Sequence, residues 1–208
     1  MMIRITGRGG HASEPHRALD PIPVACEVVQ ALQTMITRSI DVFDPSVVTV
    51  GRISAGTTNN VIPETAEIEG TIRATSERTR AKVHDGIRRV AEGVAAAHGL
   101  DVDVEVVSGY PVTINDDVFA GFGLDLARDL VGERNTVALP NPVMGAEDFS
   151  YVLQNVPGAM LFLGGTPAGQ NPATAAPNHS NRVMFDEPAM AVGTAMYAAA
   201  ALRHLAPA

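Results

Sequence analysis

The chain has 208 residues, 46% of them hydrophobic and 4% aromatic, with no Trp and a formal net charge of -8 at pH 7. That composition supports an ordinary core built mostly from Val, Ile, Leu and Ala, and it excludes disorder as the general state. The acidic balance has no basic block to neutralise phosphates, so nucleic acid is not an expected partner; no apolar run is long enough to span a membrane, and one cysteine, Cys26, rules out an intrachain disulfide framework.

Met2 to Thr6 alternates apolar and polar residues and runs into Gly7-Arg8-Gly9-Gly10, which predicts a short strand followed by a loop. Asp20-Pro21 is a helix start, with Asp as N-cap and Pro at the first helical position. Ile22, Ala25, Val28, Val29, Leu32 and Ile36 then form an apolar stripe, and Cys26, inside the same pattern, reads as a small buried filler rather than a nucleophile. Val47 to Ile53 is rich in β-formers, and Ala66 to Arg73 alternates as a strand with one wet face. Ser76 opens a second helix carrying Val83, Ile87, Val90 and Val94, which stops at His98-Gly99; Val102, Val104 and Val106 give another strand.

That order is βαββαβ, the ferredoxin-like split arrangement. The fold class is therefore α/β (α+β), with a first domain over residues 1–111 and a second over 112–208. In the second segment the pattern predicts a helix from about Asp116 to Val131, a short strand at Thr136 to Leu139 and a buried strand over Met160 to Gly165. A loop from Thr166 to His179 and a last Ala-rich helix over Pro188 to Leu205 complete it. Those elements are too few to close an α/β layer, so the segment reads as part of a domain.

Several residues could carry chemistry, each with a plainer alternative. His11 follows a glycine cluster that lets the backbone approach a ligand closely; the plainer reading is an exposed loop histidine. His179 ends a long loop, a common home for metal ligands, although a loop histidine is usually just solvated. His84, His98 and His204 fall on helices and read as surface residues. Glu147-Asp148 sits where acidic residues favour a helix start, or where a carboxylate could face a metal or substrate. A hairpin would bring Asn60 and Arg73 together, an amide and a guanidinium suited to a carboxylate; the alternative is an Asn-rich turn and one surface Arg. No Walker loop, Cys-x-x-Cys or nucleophile-elbow serine is present.

Taken in order, Gly7-Arg8-Gly9-Gly10-His11-Ala12-Ser13, Asn60-Val61-Ile62-Pro63, Gly70-Thr71-Ile72-Arg73, Met144-Gly145-Ala146-Glu147-Asp148-Phe149 and His179-Ser180 resemble one family across nearly the whole chain. It is the zinc-dependent aminoacylase and carboxypeptidase group, most similar to hippurate hydrolase and the indoleacetyl-amino-acid hydrolases. The resemblance implies a lid domain that makes a homodimer, followed by the C-terminal part of a two-metal α/β exopeptidase-like catalytic domain. It implies that His11 reaches into the partner's site to stabilise the oxyanion, that Asn60 and Arg73 hold the substrate carboxylate, that Glu147 lines the site, and that His179 is a metal ligand. The cofactor would be two divalent ions (zinc, manganese or cobalt), the substrate an N-acyl amino acid or peptide-like amide, and the location cytoplasmic. The family's other ligands and general base lie upstream of the segments matched here, so the chain alone is expected to be inactive. A non-catalytic dimerising remnant and a small-molecule-binding ferredoxin-like domain are the alternatives.

Overall fold

A computed structural model describes residues 1–206. The strands are β1 (Met2–Thr6), β2 (Gly10–His11), β3 (Ser46–Ala55), β4 (Val61–Ile62), β5 (Thr65–Ala74) and β6 (Asp101–Glu105). The helices are α1 (Pro21–Ser39), α2 (Glu77–Ala97), α3 (Asp117–Val131), α4 (Ser150–Leu153) and α5 (Ala189–Leu205). The chain divides into two compact units, Met1–Val112 with Pro142–Glu147, and Thr113–Asn141 with Asp148–Ala208.

The first unit has the βαββαβ order expected from its sequence, and all of its strand pairs are antiparallel. The four-stranded sheet runs β3-β5-β1-β6, so β1 is central and pairs with both β5 and β6. Its inward residues, Ile3 and Ile5, are fully buried and join Ala66 and Ile68 of β5 in the core. Helices α1 and α2 cover that face with Val24, Val28, Leu32, Val83, Ile87 and Ala91. The opposite face carries Arg4, Glu67, Glu69, Thr49 and Thr71, the wet side that the alternation of β5 predicts.

The helix ends follow their local chemistry. Asp20 accepts a hydrogen bond from the Ile22 N–H with Pro21 as first helical residue, and Ser76 caps α2 by accepting from the Thr79 N–H. Gly99, just past the end of α2, takes φ 70°, which an L side chain adopts only at a cost. Asp44, in the α1–β3 connection, accepts from the hydroxyls of Thr75, Ser76 and Thr79 and from Arg78. Those donors, Thr79 and Ser76 foremost, hold its carboxyl well below the usual carboxylate range. One aspartate thus ties the loop entering β3 to the start of α2.

Two expectations fail. Cys26 is exposed, not buried. The buried positions Val24, Ala25, Val28, Leu32 and Met35 set the phase of α1, and Cys26, two residues from both Val24 and Val28, falls on the outer side. Neither Thr136–Leu139 nor Met160–Gly165 forms a strand, and Leu161, Phe162 and Leu163 are exposed. A strand exists by its ladder, and among the described residues no partner strand offers one.

The second unit is thinly packed. Helix α3 begins at the expected cap, Asp116, and packs on α5, with His204 set against Phe119 at 5.7 Å between ring centroids. Yet α5 has no buried residue, and Met190, Tyr197, Leu202 and Leu205 are exposed. No helix of the described residues is long and apolar enough to cross a membrane.

Hydrogen exchange should follow this division: amides of β1 and α2 are expected to be the slowest, and those of α5 among the fastest of the helical amides. Equal protection of α5 and α2 would contradict the packing described. The Asp44→Asn variant is expected to lower the melting temperature at pH 7. Because the folded-state pKa is depressed, the ionised carboxylate is the stabilising form; its contribution is complete above about pH 4 and is lost as the pH falls further. The deficit should therefore shrink between pH 7 and pH 3, read by thermal unfolding at both.

Candidate active-site elements

The glycine cluster acts through close approach. A Cβ on Gly7 would lie 2.1 Å from the Leu19 carbonyl oxygen, and one on Gly9 would lie 2.9 Å from that of Ile62. With no side chains there, the backbone crosses tightly beside the loop before α1 and pairs with β4: Gly10 faces Ile62, and His11 faces Val61. The Ala12 N–H donates to the Asn60 carbonyl at 3.1 Å, so the backbones at His11 and Asn60 lie close together on this small ribbon. A shallow cavity of about 530 Å³ lies over it, lined by Gly9, His11, Val61 and Pro63 among others.

The hydrogen bonds of His11 decide which ring nitrogen faces outward. The Ser13 backbone N–H reaches Nδ1 at 3.1 Å, and the Ser13 hydroxyl lies 2.7 Å from the same atom. A backbone N–H can only donate, so Nδ1 is an acceptor, and the neutral ring carries its hydrogen on Nε2. The result is an exposed N–H donor on a fixed ring. Ser13 is the residue whose role only the structure reveals; its sequence signal is the His-x-Ser spacing. Asn60 is oriented in a similar way, since the Thr58 hydroxyl donates to its side-chain oxygen at 3.2 Å and leaves the amide NH₂ outward.

Arg73 lies elsewhere. It is near the far end of β5, opposite Val47 of β3, whereas Asn60 precedes the start of β5. Eight residue steps of strand separate Thr65 from Arg73, roughly 27 Å at the usual rise. The hairpin expected to join Asn60 and Arg73 does not do so within one chain, because β5 is long and β4 ends before it begins. Arg73 is exposed on the wet face. Arg4 and Arg52 on that face are paired with Glu67 and Glu69, while no described residue hydrogen-bonds or ion-pairs with the Arg73 guanidinium.

Glu147 is half-buried in the segment Pro142–Glu147, which groups with the first unit. His179 belongs to the second unit, is exposed, and has φ 70°. It is the only non-glycine residue with positive φ among those described, held in a turn closed by the Ser180 N–H on the Pro177 carbonyl. Such a backbone costs roughly 1–3 kcal/mol and is concentrated at functional sites. Among the described residues no three His, Cys, Asp or Glu side chains are grouped so that they could hold a metal ion. The donors among the described residues do not by themselves fit a two-metal centre.

A family model described as the peptidase dimerisation domain matches residues 1–98. This region is an M20 peptidase dimerisation domain. The chain is 34% identical to thermostable carboxypeptidase 2 of Saccharolobus solfataricus over 97% of its own length and 50% of that protein. It is 36% identical to an N-acetyldiaminopimelate deacetylase of Leuconostoc mesenteroides over 92% of its length and 48% of the relative. Among solved structures, a dinuclear metal binding peptidase of the M20 family from Bacillus subtilis superposes with a TM-score of 0.71 at 28% identity, over 98% of this chain and 49% of that one. The chain spans about half the length of the curated relatives it matches.

The Ser13 contacts at Nδ1 set the expected state of the His11 ring. Nitrogen-detected NMR above pH 8 should show an unprotonated Nδ1 and a protonated Nε2, and Ser13→Ala should increase the share of the other tautomer. A ring protonated at Nδ1 in the unmodified protein would contradict the arrangement.

Proposed function

We propose that this chain supplies the dimerising lid, and part of the catalytic layer, of a metal-dependent amidohydrolase acting on N-acyl amino acids. The relatives support the class: one carries carboxypeptidase in its name and another N-acetyldiaminopimelate deacetylase. Both names denote attack of water on an amide, with the oxygen going to the acyl carbon and the amine leaving with a proton. When bound, divalent ions such as zinc, manganese or cobalt would polarise that carbonyl and activate the water. His179 is proposed as one ligand among others, and Glu147 as a residue lining the site.

The observation that carries the reading is the aim of His11. A fixed ring with an outward Nε2–H is suited to donate to the oxyanion that develops on the attacked carbonyl, where a single donor contributes about 10²–10³ in rate. Its position supports a reading of whose oxyanion it would serve. The chain leaves this domain after Glu105, which is paired with Met2 across β6 and β1. Arg73 lies beyond that same end of the sheet, and His11 with Asn60 lies at the opposite end, near Thr6 and Thr65. His11 and Asn60 are thus remote from the end of the sheet where the chain leaves after β6, which favours service to a partner subunit in a homodimer. Asn60 of one protomer and Arg73 of the other would then grip one substrate carboxylate between them. Separation within the chain becomes convergence across the two-fold axis.

Sedimentation velocity is expected to show a dimer at micromolar concentration. In active preparations, His11→Ala should lower kcat by about 10²–10³ with KM little changed, and Arg73→Ala should chiefly raise KM. Full kcat in the His11→Ala protein would remove the oxyanion role. Assayed alone with zinc, manganese or cobalt, the 208-residue chain should leave N-acetyl and N-benzoyl amino acids intact. Turnover there would show that its own side chains suffice.

A further inference from the structure

The wet face of the lid sheet is laid out in rungs by its register. Val47 stands opposite Arg73, Thr49 opposite Thr71, and Arg52 opposite Glu69, the last step following a bulge between Val50 and Arg52. Residues directly opposite in an antiparallel pair have Cβ atoms about 4.5–5.5 Å apart, so Val47 is the nearest cross-strand neighbour of the Arg73 side chain. Val47 is 42% exposed, an apolar group next to Arg73 on a face that also carries charges, hydroxyls and the exposed Met2. From the next rung a cavity of about 520 Å³ opens along the face, lined by Thr49, Thr71, Met1, Met2 and Val107 among others. Its volume is in the range of small-molecule sites.

The charges around this cavity are uneven. Arg52 is neutralised by Glu69, and Glu105 also lines the wall. Arg73 stands one rung beyond the cavity, opposite Val47; among the lining side chains the carboxylates exceed the cations by one, the Met1 amino group is tied to the Gly70 carbonyl, and the rest of the wall is apolar and hydroxyl surface. A second anionic group on a ligand held at Arg73 would meet Glu69 and Glu105; an apolar group would meet Val47, the threonine methyls and Met2.

We infer that Val47, with Thr49 and Thr71, forms the side-chain subsite for the amino acid whose carboxylate is held by Arg73, and that this subsite selects uncharged apolar side chains over acidic ones. The inference rests on the proposed carboxylate role of Arg73 and adds to it the class of amino acid preferred. Val47 acts here as a specificity residue and takes no part in bond breaking.

The test is a titration of the chain with N-acetyl-L-leucine, N-acetylglycine and N-acetyl-L-glutamate, followed by two-dimensional NMR, for the unmodified protein, Val47→Asp and Arg73→Ala. The expected order is leucine over glycine over glutamate, with roughly five- to tenfold between the first two, from partial burial of the leucine side chain. Val47→Asp should abolish the leucine preference, bringing that ratio to about one, while its spectrum shows the lid still folded. Arg73→Ala should weaken all three ligands about tenfold or more. If Arg73→Ala weakens binding and Val47→Asp leaves the leucine-to-glycine ratio unchanged, the subsite is wrong and the Arg73 role stands. If Arg73→Ala changes nothing, or if none of the ligands shifts the Arg73 and Val47 signals up to its solubility limit, the carboxylate role falls, and the subsite with it.

Discussion

The pairing of β1 with β5 and β6 is the constraint from which the arrangement of the lid follows. Ile3 and Ile5 are fully buried against Ile68 and Ala66, so a one-residue slip would turn both inward pairs to water and place Arg4 or Glu67 in the core. The penalty for burying those unpartnered charges locks the register. Once it is locked, Thr6 and Thr65 share one end of the sheet, and the tail of β5 carries Arg73 past the other. Two groups of candidate site residues are separated by the length of a strand, and the hydrophobic alternation of β1 excludes the one-residue slips that would change which faces they share.

At the near end, chemistry depends on what is missing from the backbone. Gly7 and Gly9 allow a carbonyl approach that any side chain would block, and this brings the His11 strand against β4. Ser13 then occupies Nδ1, so that Nε2 is left as the outward donor. At the far end the relevant feature is a charge without a counter-charge. Arg4 and Arg52 are neutralised across the sheet by Glu67 and Glu69, pairs that contribute little to stability at an exposed surface but silence those arginines as ligand anchors. Arg73, on the same face, retains its full capacity for a carboxylate.

The two units contrast in how they satisfy the hydrophobic effect. The first surrounds a continuous core of Ile, Val, Leu and Ala between sheet and helices. The second buries few side chains: Leu126 is covered, while Phe162, Phe185, Tyr197 and Leu202 are exposed. Apolar surface of this extent calls for cover.

Much of the first unit was legible in the sequence because its signals are local. Strand alternation in Ala66–Arg73, the Asp20-Pro21 and Ser76 caps and the Gly99 stop each act within a few residues, so the βαββαβ order could be read without tertiary information. The motifs around His11, Asn60 and Arg73 likewise pointed to the M20 dimerisation domain. Distance and exposure were not legible. Cys26 is exposed because packing chose the phase of α1, Met160–Gly165 is no strand because a ladder needs a partner from elsewhere, and Arg73 is far from Asn60 because strand length and register are settled by the whole sheet. The amino-acid sequence by itself determined which residue types stand in which local frames. Only the tertiary structure decided which of them meet, since meeting depends on pairing between segments distant along the chain.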